Sequence, residues 1–241
     1  MIRTVIFDIG GVLAFDVWEH MFLDIPNGLS SILKLPDNEA KQFGKELWRK
    51  FAYISATTFA EIKELEFEYW NQFIKHFNLT HPPEYFSELT EKFIKPVAGV
   101  IPLLKKLKSS GVELAICSNN NEFFFHRQME TLDLGAFFTS DKTALSCRVG
   151  SSKASPNFEM FKDIMERVNS PKEECLFIDD KECNINRSVE FGLPAILFPS
   201  ESSFGSNYLE NLFTEMNIFK LMFFESTEDT RKDDYLNQRA S

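Results

Sequence analysis

No apolar run in this chain approaches the roughly 20 residues that span a bilayer, and nothing at its start has the shape of a secretory leader. Met1-Ile2-Arg3 leads directly into a short apolar stretch that stops at Asp8, so a cytoplasmic protein without a membrane partner is expected. Positive charge is also scarce. Lys and Arg number 26 against 36 Asp and Glu, a net charge of −10. That balance argues against a general affinity for nucleic acid, which requires clustered cations to displace counterions. It leaves room for an anionic small molecule, because a phosphate site needs positive charge only locally. Cysteine is sparse: Cys117, Cys147, Cys175 and Cys183, with no C-x-x-C pair. Cys117 and Cys175 lie inside apolar runs, which suits core thiols in a reducing compartment. The Gly-rich lysine loop of nucleoside-triphosphate sites is missing, and His76, His81 and His126 fall at no metal-ligand spacing.

What is present suffices for a large core. A chain of 241 residues with 44% hydrophobic and 26% charged side chains is of the soluble globular class. It holds one domain, or one domain carrying a large insertion. Phenylalanine is unusually abundant at 26 residues. Scattered as they are, these rings fit an aromatic-rich interior better than a binding platform.

Thr4-Val5-Ile6-Phe7 is an apolar, β-branched run ending at Asp8 and Gly10-Gly11, the pattern of a buried strand entering a tight loop. From about Val17 to Phe93 the rhythm is helical. Residues 39–53 and 59–77 carry apolar side chains at three- and four-residue spacing, and a layer of about four helices is expected. After Pro96 helix and strand alternate. Helices are expected over 100–107 with a stop at Gly111, over 121–132, over 156–168 with Ser155 as N-cap, and over 182–191 closed by Gly192. Strands are expected over 112–117, 136–138, 175–178 and 195–198. Alternation of this kind implies right-handed βαβ units and a parallel sheet covered on both faces. The expected fold class is α/β, a Rossmann-like three-layer parallel sheet with a helical cap inserted after the first strand. Residues 1–16 and 94–224 form the expected core, 17–93 the cap, and 225–241 a polar C-terminal tail that frays.

In an open parallel sheet, ligands bind just beyond the carboxyl ends of the strands. The polar residues that follow the apolar runs are Asp8, Ser118 and the pair Asp179-Asp180, and Lys153 sits in a Gly- and Ser-rich loop ahead of a helix. Singly, each has a plainer reading. Asp8 can open a turn, Ser118 with Asn119-Asn120-Asn121 can cap a helix, and Lys153 can be a solvated charge. Two adjacent carboxylates at a buried sheet edge are harder to place without a cation or a shared proton. Together the four make coherent chemistry. Asp8 attacks phosphorus and forms an aspartyl-phosphate that water then hydrolyses. Two anions approach only if a cation neutralises the phosphoryl oxygens. Magnesium takes hard oxygen ligands, which Asp8 and Asp180 supply. Lys153 balances charge between nucleophile and phosphate. Ser118 and the backbone N–H of Asn119 hydrogen-bond the phosphoryl oxygens.

These residues resemble the motifs of the haloacid dehalogenase-like hydrolase superfamily. Phe7-Asp8-Ile9-Gly10-Gly11-Val12-Leu13 is similar to its first motif and Ile116-Cys117-Ser118-Asn119 to its second. Lys153 within Gly150-Ser151-Ser152-Lys153-Ala154-Ser155-Pro156 is similar to the third, and Phe177-Ile178-Asp179-Asp180, with Asn184 and Gly192 following, to the fourth. The likeness runs from about Ile2 to Phe198, and the helical insertion matches the family's cap. Within the superfamily the wording is similar to the branch of bacterial alpha-glucose-1-phosphate phosphatases and the N-terminal domain of soluble epoxide hydrolase. The resemblance implies Asp8 as nucleophile, Mg2+ as cofactor, and Asp180 and the Gly10 carbonyl as metal ligands, with Asp179 bound to the metal or supporting it.

Two positions depart from the family pattern. Most of its phosphatases carry a second Asp two residues after the nucleophile, acting as general acid and base; here that residue is Gly10. The backbone carbonyl survives, and what is lost is general acid help typically worth about 10²–10⁴ in rate. The glucose-1-phosphatase-like branch also has Gly there. Asp16 can substitute through a water, although a solvated loop charge is the plainer expectation. The second departure is Lys153-Ala154-Ser155-Pro156 in place of the usual Lys-Pro-Asp-Pro, which keeps the lysine and alters loop stiffness. The expected function is magnesium-dependent hydrolysis of a small phosphorylated metabolite, a sugar phosphate being one candidate. Two alternatives stay open. One is a regulatory or scaffold member with weak or no catalysis. The other is a carbon–halogen hydrolase, which needs no metal and typically lacks the double carboxylate. Cap residues Trp18, His20, Trp48, Arg49, Tyr53 and Trp70 can face the site, but helix packing is their expected role.

Overall fold

Thr4–Phe7 forms strand β1, joined in one sheet by Glu113–Ser118 (β2), Thr143–Leu145 (β3), Cys175–Asp179 (β4) and Ala195–Leu197 (β5). In this computed structural model, which describes residues 1–23, 27–199, 207–216 and 218, the strands run β3-β2-β1-β4-β5 and all pair parallel. β1 is central and buried along its length, which is why it reads as an unbroken apolar run. From β1 the chain builds outward through β2 and β3, then returns to the other side for β4 and β5. The switch point of the sheet therefore lies between β1 and β4.

Between β1 and β2 stand α1 (Val17–Phe22), α2 (Leu29–Leu33), α3 (Asp37–Phe51), α4 (Phe59–His76), α5 (Pro83–Phe93) and α6 (Val100–Ser109). After β2 come α7 (Glu122–Thr131), α8 (Ser146–Val149), α9 (Glu159–Arg167), α10 (Glu182–Phe191) and α11 (Asn207–Glu215). The longest of these, α4, starts in a capping box. Glu61 N–H donates to Thr58 Oγ1 at 3.2 Å and Thr58 N–H returns a bond to the Glu61 carboxylate at 2.9 Å.

Alternate strand residues face opposite layers. Val5, Phe7, Ile116 and Ile178 pack with Leu103 and Leu107 of α6, while Ile6, Ala115 and Phe177 pack with Met160, Phe161 and Ile164 of α9. A third apolar cluster lies among α1–α5 and is strongly aromatic, with Phe51, Tyr69, Trp70, Phe73 and Phe86. Trp70 stacks on Phe86 at 5.1 Å between centroids. The abundance of phenylalanine thus goes into packing. Phe123 and Phe124 of α7 belong to this same cluster.

Three expectations need correction. Residues 17–93 hold five helices among the described residues, not four, because α1 and α2 are separate short pieces. Residues 136–138 form no strand: Leu134–Ala136 is a 3₁₀ turn, and Phe138 drops into the core against Phe7. The strand of that region is β3, whose three residues are too few for pattern to reveal. Ser155 caps no helix. A turn at Pro156-Asn157 carries the chain past it, α9 begins at Glu159, and the Ser155 hydroxyl donates to the Glu159 carboxylate at 2.6 Å. Cys117, Cys147 and Cys175 are buried thiols, but Cys183 is exposed. Residues 225–241 lie outside the described residues. No described helix is long and apolar enough to cross a membrane.

Candidate functional site

Phe7 is level with Ile116 of β2 and Ile178 of β4, so the strands deliver Asp8, Ser118, Asp179 and Asp180 to one edge. Asp8 is buried. Its N–H donates to the Ile178 carbonyl at 2.9 Å, and its Oδ1 accepts from the Ile9 N–H at 2.7 Å. Asp8 Oδ2 lies 2.7 Å from Lys153 Nζ, and the Ser118 hydroxyl beside it helps to hold the carboxylate charged. Lys153 is the residue whose placement departs most from ordinary lysine behaviour. It comes from a loop yet has no solvent exposure, and its Nζ also lies 2.5 Å from Asp179 Oδ2. Asn119 holds that loop in place, its Oδ1 accepting from the Lys153 N–H at 2.9 Å.

The two adjacent carboxylates have different surroundings. Asp179 is saturated, accepting from Lys153 Nζ, from the Lys181 N–H at 2.8 Å and from Asn184 Nδ2 at 3.0 and 3.1 Å. Asp180 Oδ2 pairs with Lys181 Nζ at 3.0 Å, whereas its buried Oδ1 has no partner. Gly11 makes room for this carboxylate. Its φ is +77°, and a Cβ on it would stand 2.4 Å from Asp180 Oδ2, so only glycine suits the position.

Carboxylate oxygens of Asp8, Asp179 and Asp180 lie within 4.8 Å of one another. Burial pushes the Asp8 carboxyl up to about 7 against the pull of Lys153, and the charge of Asp179 adds to the rise. Burial raises Asp180 as well, opposed by Lys181. Burial alone would lower Lys153, but Asp179 and Asp8 outweigh it and hold the ammonium above its ordinary value. The set is hard, oxygen-rich, short of positive charge and provided with one orphaned oxygen. Those are the properties that fit a divalent cation such as magnesium.

This edge forms the floor of a cavity of about 410 Å³. Gly10, Ser118, Asn119 and Lys153 line it beside Asp8 and Asp180, so the residues singled out from the sequence converge; Asp179 sits fully buried beneath. Of the named cap residues, Trp18, Trp48 and Arg49 line the cavity. His20, Tyr53 and Trp70 do not, and Trp70 belongs to the aromatic cluster. Sequence reading missed Lys41, Lys45, Gln128 and Lys181, which also line it. The four-residue spacing of Lys41, Lys45 and Arg49 was the available signal.

Asp16 is not a solvated loop charge. It caps α1, its Oδ1 accepting from the Glu19 N–H at 3.0 Å, and it lines the cavity. Its Oδ2 stands 3.4 Å from where a Cβ on Gly10 would be. Burial raises this carboxyl against the pull of the Glu19 amide.

Solved structures share this architecture. A HAD family enzyme, bt-2542, from Bacteroides thetaiotaomicron matches with a TM-score of 0.63 and 18% identity, over 86% of this chain and 98% of that one. A form of that enzyme in complex with magnesium and inorganic phosphate matches at 0.59, with 19% identity over 85% and 98%. An L-2-haloacid dehalogenase from Xanthobacter autotrophicus, with chloropropionic acid covalently bound, matches at 0.55 with 15% identity, over 90% and 84%. At these identities the likeness is one of fold. No curated relative matches. A family model described as haloacid dehalogenase-like hydrolase matches residues 2–185, a span that holds all the site residues described above, and the chain belongs to that family.

Proposed function

We propose that the protein is a magnesium-dependent phosphomonoester hydrolase that acts on a small phosphorylated metabolite through Asp8. The observation that carries this reading is the buried group of three carboxylates around Lys153, with Asp180 Oδ1 left without a partner. A carbon–halogen hydrolase needs no metal and has no use for so many desolvated carboxylates. Support also comes from the Bacteroides thetaiotaomicron enzyme, whose complex holds magnesium and inorganic phosphate. Residues 17–93 would act as the cap, residues 1–16 and 94–224 as the catalytic layer, and the buried thiols suit a cytoplasmic setting.

In this reading Asp8, Asp180 and the Gly10 carbonyl would hold Mg2+, with Asp179 fixing Lys153 and the turn after β4. Bound there, the ion supplies positive charge against the phosphoryl oxygens. A carboxylate oxygen of Asp8 attacks phosphorus and the ester P–O bond breaks, its electron pair leaving on the departing oxygen. Lys153 stays cationic throughout and offsets charge at Asp8. The Ser118 hydroxyl and the Asn119 N–H orient the phosphoryl group. Asp16, whose Oδ2 stands 3.4 Å from where a side chain on Gly10 would begin, supplies the proton to the departing oxygen. It then accepts one from the water that attacks phosphorus and breaks the bond to Asp8, releasing orthophosphate. That role answers the reading in which Gly10 leaves only a scaffold.

The test is phosphate release from an aryl phosphate and a sugar-phosphate panel, with and without magnesium. Wild-type protein is expected to release phosphate only with the metal, and Asp8→Asn to release none. Equal rates for wild type and Asp8→Asn on every substrate would sink the proposal.

A further inference from the structure

Lys41, Lys45 and Arg49 follow one another at four-residue intervals along α3, and all three line the cavity that Asp8 floors. Their Cα atoms span about 12 Å of helix axis on one side. That side adjoins the buried face formed by Ala40, Gly44, Leu47 and Phe51. Gly44 lets the Phe22 ring close on α3, for a Cβ there would stand 2.6 Å from it, and Trp18 Nε1 donates to the Gly44 carbonyl at 3.3 Å. The helix is therefore fixed in rotation, and the cationic side is turned to the cavity.

Among the described residues none of the three has a hydrogen-bond or ion-pair partner. Neighbouring polar groups on α3 do find partners: Glu39 pairs with His76, Gln42 with Glu46, and Lys50 with Gln72. Among the described residues Lys75, Lys92 and Lys105 also lack a partner but lie on other helices away from the cavity, while within α3 the cations without one are the three that line it. Trp18 and Trp48 line it beside them, and an apolar wall strengthens attraction between charges.

We propose that this row binds a second anionic group of the substrate. The substrate class is then a small phosphomonoester whose far end carries a carboxylate or another phosphate. A cavity of about 410 Å³ suits a metabolite of that size. This inference rests on the phosphatase reading above and adds what lies at the other end of the molecule from the scissile bond.

The test compares matched pairs: 3-phosphoglycerate against glycerol 3-phosphate, and glucose 1,6-bisphosphate against glucose 1-phosphate. Wild-type kcat/KM is expected to favour the doubly anionic member of at least one pair by about 10- to 100-fold, the range for hydrogen bonds to charged groups. Which pair responds tells a carboxylate from a phosphate. In the variant carrying Lys41→Gln, Lys45→Gln and Arg49→Gln that ratio falls toward one, with the loss mainly in KM. The single variants Lys45→Gln and Arg49→Gln provide the same readout if the triple variant folds poorly. A wild-type enzyme indifferent to the second anion, or a preference that survives all these substitutions, overturns the inference while leaving phosphatase activity standing. Absence of Asp8-dependent release from any phosphate overturns both.

Discussion

Lys153 and Arg49 line the same cavity, yet one is fully buried against two carboxylates and the other is exposed with no partner. The sheet edge and the α3 wall differ throughout in this way. At the edge, Asp179 has all its acceptor positions filled and Asn119 holds the loop of Lys153. On the wall, Lys41, Lys45 and Arg49 end in long flexible side chains. Groups held rigidly before substrate arrives need no reorganisation during bond breaking. Long cations that stay solvated can adapt to the part of a molecule that varies. The edge suits chemistry and the wall suits selection.

Removing a charge should therefore affect the two regions very differently. Lys153→Met leaves Asp8 and Asp179 buried without compensation. It is expected to abolish turnover and destabilise the fold by about 3–5 kcal/mol in denaturant unfolding, whereas Arg49→Ala should cost no more than about 0.5 kcal/mol. Comparable losses would break the contrast.

Asp16→Asn keeps the helix cap, since Asn caps as well as Asp, but cannot carry the proton. Turnover of alkyl phosphates is expected to fall by about 10²–10⁴. An aryl phosphate with a good leaving group should lose far less, and a uniform loss across leaving groups would remove Asp16 from the chemistry.

The third outcome concerns pH. Burial raises Asp8 from 3.8 to about 7, so above pH 7 the metal-free carboxylate is ionised, and below it a cation must displace a proton. Magnesium affinity should accordingly weaken by about tenfold per unit as pH falls below 7, with proton release measurable by calorimetry in buffers of different ionisation enthalpy. Asp8→Asn should flatten that slope.

The smallest effect follows from the same sign. An ionised carboxyl that the fold disfavours costs stability from its ordinary value upward, in full above about 7. At pH 8 the metal-free Asp8→Asn protein should melt higher than wild type, by the equivalent of about 1 kcal/mol. A lower melting temperature would mean that Lys153 stabilises the pair more than burial penalises it.

The same two regions were unequally legible in the sequence. Asp8, Asp179 and Asp180 follow apolar runs directly, and strand ends in a parallel sheet announce where a ligand sits. Lys153 gained meaning only from that company, and nothing local foretold its complete burial. The helices of residues 17–93 were harder because helical spacing says which residues share a face without saying what the face meets. Lys41, Lys45 and Arg49 had the right period, but their orientation depends on Gly44 admitting the Phe22 ring. Asp16 is legible as a substitute through a water, but in second place to a solvated charge, since its closeness to Gly10 arises from the turn, not from spacing. At Ala136–Phe138 a three-residue apolar run carried too little pattern to separate a strand from a buried loop.

Phe123 and Phe124 sit in the aromatic cluster of the helices before β2, although α7 leaves directly from the loop of Ser118 and Asn119. Arg127 of the same helix bonds Glu66 of α4 and Glu91 of α5, each at 2.5 Å. If residues 17–93 act as the proposed cap, a layer tied in this way cannot swing like a lid on a loose hinge: outward motion pulls on the segment proposed to grip the phosphoryl group. Admission of substrate and slackening of that grip would then be one movement. Phe124→Ala combined with Arg127→Ala, by loosening the tie, should speed amide exchange in α3–α5 while leaving exchange at Ser118–Asn120 slow; acceleration of both would show that the linkage runs elsewhere.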